Sequence, residues 1–299
     1  MFDKIVAGFL SIITAILSAF YVPSQLTPLA APHGKKTVSQ QISVMSYNLR
    51  FSGEGDQSAE VRAPLIKEDI LRYKPDSFGA QECTDDWFKI LDGTLTDYAH
   101  VGVPRYLFFG EASPVYYLKN KYDAVKSGTF WISLTPDIPS RFPDAQFNRV
   151  CSYVVLRDKS TGFEYAHFNT HLDHRGEYAR IEAAAIISKK ISEICPDIPV
   201  VLTGDLNETP DSEMYKRFIG CGFVDLRETA EIKENVTAST YHAYGTVDDE
   251  IIDYILTNPG FLIKAQKYVT DLSVYDGVYP SDHHPVYASF ELQNYSTGD

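Results

Sequence analysis

The stretch VVLTGDLNETP, residues 200–210, runs an aliphatic segment into a row of oxygen-bearing side chains. Val200, Val201 and Leu202 read as a strand buried on both faces. Asp205 and Asn207 then place an acid and an amide where that strand stops. A strand end is a rigid mount with solvent access on one side, so it can present chemistry to a pocket. Side chains two apart in an extended segment face the same way, so these two can point together. For either residue alone, a helix cap or an Asx turn accounts for the same letters.

The same device recurs outward from this stretch. ISVMSYNL (42–49) reads as a strand apolar on both faces that delivers Asn48, and PDSFGAQE (75–82) as a loop and short strand that delivers Glu82. FEYAHFN (163–169) leads to His171 and Asp173, which are again two apart. EIIDYILT (250–257) carries Asp253, and SDHHP carries Asp282 and His283 just before PVYASFEL (285–292). SGTFWIS (127–133), VCSYVVLR (150–157) and KAQKYVT (264–270) are also β-rich. Asp253 interrupts an apolar run, and an ionised acid facing inward needs a partner. His283 is the candidate, because an acid orients an imidazole and makes it more basic.

Three segments have helical character. VRAPLIKEDILRYK (61–74) sets Leu65, Ile66, Ile70 and Leu71 on one side. TDDWFKILDGTL (84–95) begins with Thr84 as a cap and two early acids. GEYARIEAAAIISKKISEI (176–194) repeats Ile181, Ala184, Ile187, Ile191 and Ile194 at spacings of three and four. Strands buried on both faces, mixed with helices, imply sheets covered by helices in one α+β domain over residues 38–299.

Composition sets outer limits. The chain has 299 residues, 44% of them hydrophobic, and a net charge of −13 from 27 basic and 40 acidic residues. Such acidity repels a phosphate backbone at long range and disfavours unspecific nucleic-acid binding. Cys83, Cys151, Cys195 and Cys221 have no C-x-x-C spacing, which argues against structural zinc and for buried thiols. Residues 5–22 carry no charge, at the short end of a membrane span and beyond a typical signal core. Residues 1–37 therefore read as a cleaved export signal or an uncleaved anchor, followed by a Pro-rich linker. The protein is expected to be exported, either secreted or membrane-anchored through residues 5–22.

MSYNLRF, QE, NTHLDH, GDLNETP, IDYIL and SDHHPV occur in that order. The set resembles the endonuclease/exonuclease/phosphatase superfamily, over about residues 42–292. That group includes pancreatic-type deoxyribonucleases, abasic-site endonucleases, inositol-phosphate 5-phosphatases, neutral sphingomyelinases and deadenylases. SGTFWISLTPDIP followed by RVCSYVVL resembles a bacterial-type subgroup of metal-dependent hydrolases. The resemblance implies an α/β (α+β) fold, a four-layer sandwich of two central mixed β-sheets flanked by helices, with the site at one edge.

It also implies roles. Glu82 matches the main Mg²⁺ ligand, with Asn48 beside the metal and Asp282 near it. Asp205 matches the residue that orients or deprotonates the attacking water, and Asn207 would hold that water or the phosphate. His171 would donate to a phosphate oxygen. His283, with Asp253 behind it, would contact the phosphate or act in acid–base steps, and Arg149 falls at a phosphate contact. Mg²⁺ suits carboxylate, amide and water ligands, and Mn²⁺ or another divalent ion also fits. No cysteine nucleophile or Gly-rich phosphate loop competes for the role.

The expected activity is hydrolysis of a phosphodiester or phosphomonoester by metal-assisted attack of water, on a small or lipid-linked substrate outside the cytoplasm. A secreted or anchored nuclease is the alternative. PRYLFFGEASPVYYLKNKYD (104–123) offers aromatics with some lysines, but tyrosine in a β-rich chain is commonly sheet packing. A non-catalytic binding protein on the same fold is a third reading, and the presence of Glu82, Asp205 and His283 speaks against it. The expected partners are a phosphoester substrate and, through an uncleaved N-terminal segment, a membrane. The charge does not favour nucleic acid, and a monomer is expected.

Overall fold

Strand β1 (Lys35–Asn48) is exposed over its first half and buried from Val44 to Asn48, where it becomes central to a sheet. It runs antiparallel to β13 (Val286–Ser296) and parallel to β2 (Ser77–Gln81). β12 (Leu262–Thr270) and β10 (Ile232–Glu234) continue this sheet beyond β13. β4 (Val115–Leu118) and β3 (Tyr98–Val101) continue it beyond β2. A second sheet has the order β5 (Tyr122–Trp131), β6 (Val150–Asp158), β7 (Glu164–His171), β8 (Val200–Asp205), β11 (Asp253–Thr257) and β9 (Val224–Asp225). The computed structural model describes residues 23–248 and 250–296. The apolar segment 5–22 lies outside them.

Helices cover both outer faces. α1 (Ala59–Tyr73) and α2 (Asp85–Thr94) close Ile66, Ile70, Trp87 and Leu91 over Met45, Tyr47 and Phe78 of the first sheet. α3 (Glu177–Ile194) and α4 (Glu213–Gly220) close Ala184, Ile187, Ile191 and Phe218 over Phe168 and Leu202 of the second. Val44, Val154, Val201, Ile255 and Phe290 fill the space between the sheets. Two mixed sheets between helices form the four-layer sandwich, and burial on both faces explains the nearly continuous apolar runs of the central strands.

Some local expectations change. The buried face of α1 is Arg62, Ala63, Ile66, Asp69 and Ile70, whereas Leu71 is exposed. The reason is hydrogen bonding. The Arg62 guanidinium donates to the carbonyls of Leu49, Arg50, Phe51, Gln57 and Pro280, and Asp69 accepts from Tyr47 and Tyr275. A buried charge with five acceptors is tolerable, and here it ties together the two loops that follow β1 and precede β13. Thr84 stands at the α2 N-cap, but its hydroxyl makes no cap bond; Asp85 and Asp86 supply the first-turn charge. Residues read as a linker dock instead: Leu29 is buried, its N–H donates to Cys221 O, and Ser24 N–H donates to Glu182. All four cysteines are buried free thiols.

Candidate active site

Strand register brings the site together. His171, the last residue of β7, pairs with Asp205, the last of β8, and Asp205 pairs in turn with Asp253, the first of β11. Residues paired across neighbouring strands share a face, so three strands set an imidazole and two carboxylates in one row. In the other sheet Asn48 pairs with Gln81, one residue before Glu82. Asp282 and His283 arrive on the loop before β13, held by the Ser281 hydroxyl, which donates to Asn48 O.

The distances are short. Asn48 Nδ2 donates to Asp205 Oδ2 at 2.9 Å and to Glu82 Oε1 at 3.3 Å. Asp205 Oδ2 lies 3.5 Å from His171 Nε2 and 3.7 Å from His283 Nε2. His283 Nδ1 meets Asp253 Oδ2 at 2.9 Å, the pairing expected from the sequence. Asp253 Oδ1 is buried without a partner. Glu82, Arg149, His171, Asp205, Asn207, Asp282 and His283 all line one cavity of about 350 Å³. Asn48 and Asp253 stand behind its wall.

Asp205 and Asn207 reach the cavity, but not by strand alternation. β8 stops at Asp205, and Asn207 turns into the left-handed region with φ 54°, its N–H donating to Asp205 Oδ1. The Asx turn is therefore present, and Asn207 still lines the cavity. Arg50 and Glu82 share that backbone geometry, with φ of 56° and 55°. Left-handed backbone is costly for a side-chain-bearing residue, and three such residues on one cavity mark a site that the surroundings hold in place. Asp173 does not join His171 in the cavity. Its carboxylate accepts from the N–H groups of Gln146, Phe147, Arg175 and Gly176 and from Arg149, which fixes the loop that carries Arg149.

A family model for the endonuclease/exonuclease/phosphatase family matches residues 45–283. The chain belongs to this family. Its members are hydrolases acting on phosphoesters, nucleic acids among them. The fold matches a family protein from Bacteroides thetaiotaomicron with TM-score 0.79 and 32% identity, over 86% of this chain and 99% of that one. It also matches a mannosyl-6-phosphatase from that organism with TM-score 0.77 and 32% identity, over 83% and 98% of the two chains. The RNA exonuclease NGL1 of Saccharomyces cerevisiae is 33% identical over 76 residues, 22% of this chain and 21% of that protein. The chain spans less than half the length of the curated relatives it matches.

Enzymes of this family depend on divalent metals, and two sets of donors here bear on a cation. Arg50 lies 3.9 Å from Glu82 Oε2 and 3.5 Å from Asp282 Oδ2, so the two carboxylates already share one positive charge. Both carboxylates line the open cavity, and hard oxygen donors suit a divalent ion. Asp205, Asp253 and His283 form the second set, with ligand atoms within 4.8 Å of one another. A ligating imidazole must offer a lone pair. Burial alone would push His283 down, but Asp253 and Asp205 hold it protonated, up to about 10. The first set lines the open cavity in full, whereas Asp253 of the second stands behind its wall. Asn48 directs its amide nitrogen at Glu82 and Asp205 while its oxygen accepts from Arg50 N–H, so it orients both acids.

Electrostatics separates the remaining groups. Burial raises Asp205 to about 7, against the pull of His283 and the Asn48 amide. Burial, with Arg149 and His283 nearby, pushes His171 down, so it is neutral. Burial and the neighbouring Glu82 raise Asp282, against the pull of His283 and Arg50. The sequence reading missed Arg50, Arg105, Glu111, His174 and Tyr241 on the cavity wall. Arg50 and His174 stand inside quoted motifs, so their position was signalled. Arg105 and Glu111 come from an aromatic loop with no motif, and only tertiary placement reveals them.

Proposed function

We propose that this protein is a divalent-metal-dependent phosphoester hydrolase, Mg²⁺ being the natural ion, that acts on a small phosphoester. The observation that carries the reading is Asp205, buried within 3.7 Å of two imidazoles and 2.9 Å from Asn48, on a cavity that also holds Glu82 and Asp282. A cation held by Glu82 and Asp282 would offset phosphate charge and stabilise the developing oxyanion. Asp205, raised toward neutrality by burial, takes the proton of the attacking water, as a base poised near the working pH does best. His283, protonated and braced by Asp253, donates to a phosphate oxygen. Neutral His171 and Asn207 complete the grip on the phosphate. Arg149, held by Asp173, adds a fixed guanidinium donor.

Support for a small substrate comes from the mannosyl-6-phosphatase, which is alike over nearly its whole length. The net charge of −13 points the same way. The nuclease reading rests on the RNA exonuclease, whose likeness covers 22% of this chain. We also infer from the uncharged segment 5–22 that the enzyme is exported, as a secreted or anchored protein. Among the described residues no helix is long and apolar enough to cross a membrane.

The test uses purified protein stripped of metal. Mg²⁺ or Mn²⁺ should restore release of nitrophenol from p-nitrophenyl phosphate or its bis ester, and Glu82→Ala should abolish it. Plasmid nicking with no turnover of either small ester would instead support the nuclease. No turnover of any ester, with or without metal, would overturn the hydrolase reading.

A further inference from the structure

The cavity lining falls into two chemically unlike groups of residues. One is the acidic and imidazole cluster described above. The other is built by Arg105, Glu111, Phe147, Arg149 and His174, and nothing in the hydrolytic step requires most of it. Arg105 grips Glu111 as a fork, Nη1 to Oε2 at 3.0 Å and Nη2 to Oε1 at 3.2 Å. Its guanidinium lies over the Phe147 ring, 4.3 Å from the centroid. Arg105 is only 8% exposed, yet its Nε has no hydrogen-bond partner. A buried N–H left unpaired is costly and calls for an explanation.

Charge limits what this second group can bind. Arg105 is matched by Glu111, and Arg149 sits 3.4 Å from Asp173. Two guanidinium groups balanced by two carboxylates leave little net charge, a poor site for a second phosphate. They do supply fixed donors and acceptors side by side, which is what vicinal hydroxyls need. A cavity of about 350 Å³ is at the small end for ligand sites and leaves room for one ring beyond a phosphate group.

We propose that the Arg105–Glu111 fork is a hydroxyl-binding subsite that holds a sugar-like group joined to the phosphate. This rests on the hydrolase reading above and goes further in naming the leaving group. Glu111 accepts from ring hydroxyls, and Arg105 donates to their oxygens. The alternative role, a staple closing the aromatic loop 105–111, is served by the same fork and by the Arg105 N–H donating to Glu111 O.

The two roles separate in a comparison of substrates. The full chain with Mg²⁺ is assayed on a hexose 6-phosphate and on p-nitrophenyl phosphate, which has no hydroxyls to grip. In Glu111→Gln and Arg105→Lys, the ratio of kcat/KM for the sugar ester over the aryl ester should fall about tenfold, as expected for losing a charged hydrogen bond. A ratio within about twofold of the parent, in variants that melt like the parent, would overturn the subsite. Should both variants misfold, the unaltered enzyme decides: free hexose must compete with the aryl ester, and failure to compete overturns the subsite. Hydrolysis of the aryl ester without any of the sugar phosphate also overturns it and leaves the hydrolase reading standing. Failure on both esters sinks the hydrolase reading itself.

Discussion

Two buried polar regions of this molecule, a few residues apart along the same strands, behave oppositely. Deep between the sheets, His167 bonds Ser77 Oγ at 2.7 Å and Thr203 Oγ1 at 2.8 Å. Beside it, Asn169 Oδ1 accepts from Gln81 and Thr203, and its Nδ2 donates to the carbonyls of Ala80 and Pro114. These groups are neutral, and His167 and Asn169 are matched atom for atom. At the strand ends the cleft gathers charged groups, with Asp253 Oδ1 behind its wall and Arg105 Nε on a flanking loop buried without partners, while in the seam Gln81 Oε1 also lacks one. A neutral, nearly satisfied network fixes a structure, whereas gathered buried charges keep capacity for a ligand. The seam positions the strand ends, and the cleft spends that rigidity on chemistry.

The contrast is broken most sharply by Asp205→Asn. Rate should fall about 10³-fold with loss of the base, while thermal stability holds or rises because a buried charge is removed. Steady-state kinetics with calorimetric melting checks this; a normal rate would take the base away from Asp205. Gly79→Ala should do the reverse. A Cβ at Gly79 would meet Thr203 Oγ1 at 2.2 Å and Asn169 Oδ1 at 2.3 Å, so the seam must open. Overpacking of this kind costs about 3 kcal/mol, which urea unfolding can read. An alanine variant as stable as the parent would mean that the sheets slide apart freely.

The seam also predicts a pH effect. Burial pushes His167 down to about 3. The unfolded chain binds a proton below about 6.5 that the folded chain refuses, so stability is complete above that pH and drains away toward pH 3. Between pH 6.5 and 5 the loss from this residue is about 2 kcal/mol, and His167→Gln should flatten that part of the profile. A variant that keeps the full slope would assign the loss to other groups.

Much of this was legible in the sequence. The long apolar strands and the α3 repeat at Ile181, Ala184, Ile187 and Ile191 identify themselves, because burial dictates their periodicity. The acids and histidines at strand ends were legible as a set. Their convergence was expected mainly through the family resemblance, because it depends on the register that pairs His171, Asp205 and Asp253 across three strands. The burial of Arg62 and Asp69 has no local signal, since carbonyl and hydroxyl partners of theirs come from distant segments. The edge strand β3 and its neighbour β4 span four residues each, too few to show a period. The wall made by Arg105 and Glu111 has no local signal at all.

The most direct test is where the cation sits. Calorimetric titration of Mn²⁺ into metal-stripped protein should show binding that weakens at least roughly tenfold in Glu82→Gln and persists in Asp253→Asn. Unchanged binding in Glu82→Gln, with loss in Asp253→Asn, would move the ion to the Asp205–Asp253–His283 set and contradict the division of labour argued above.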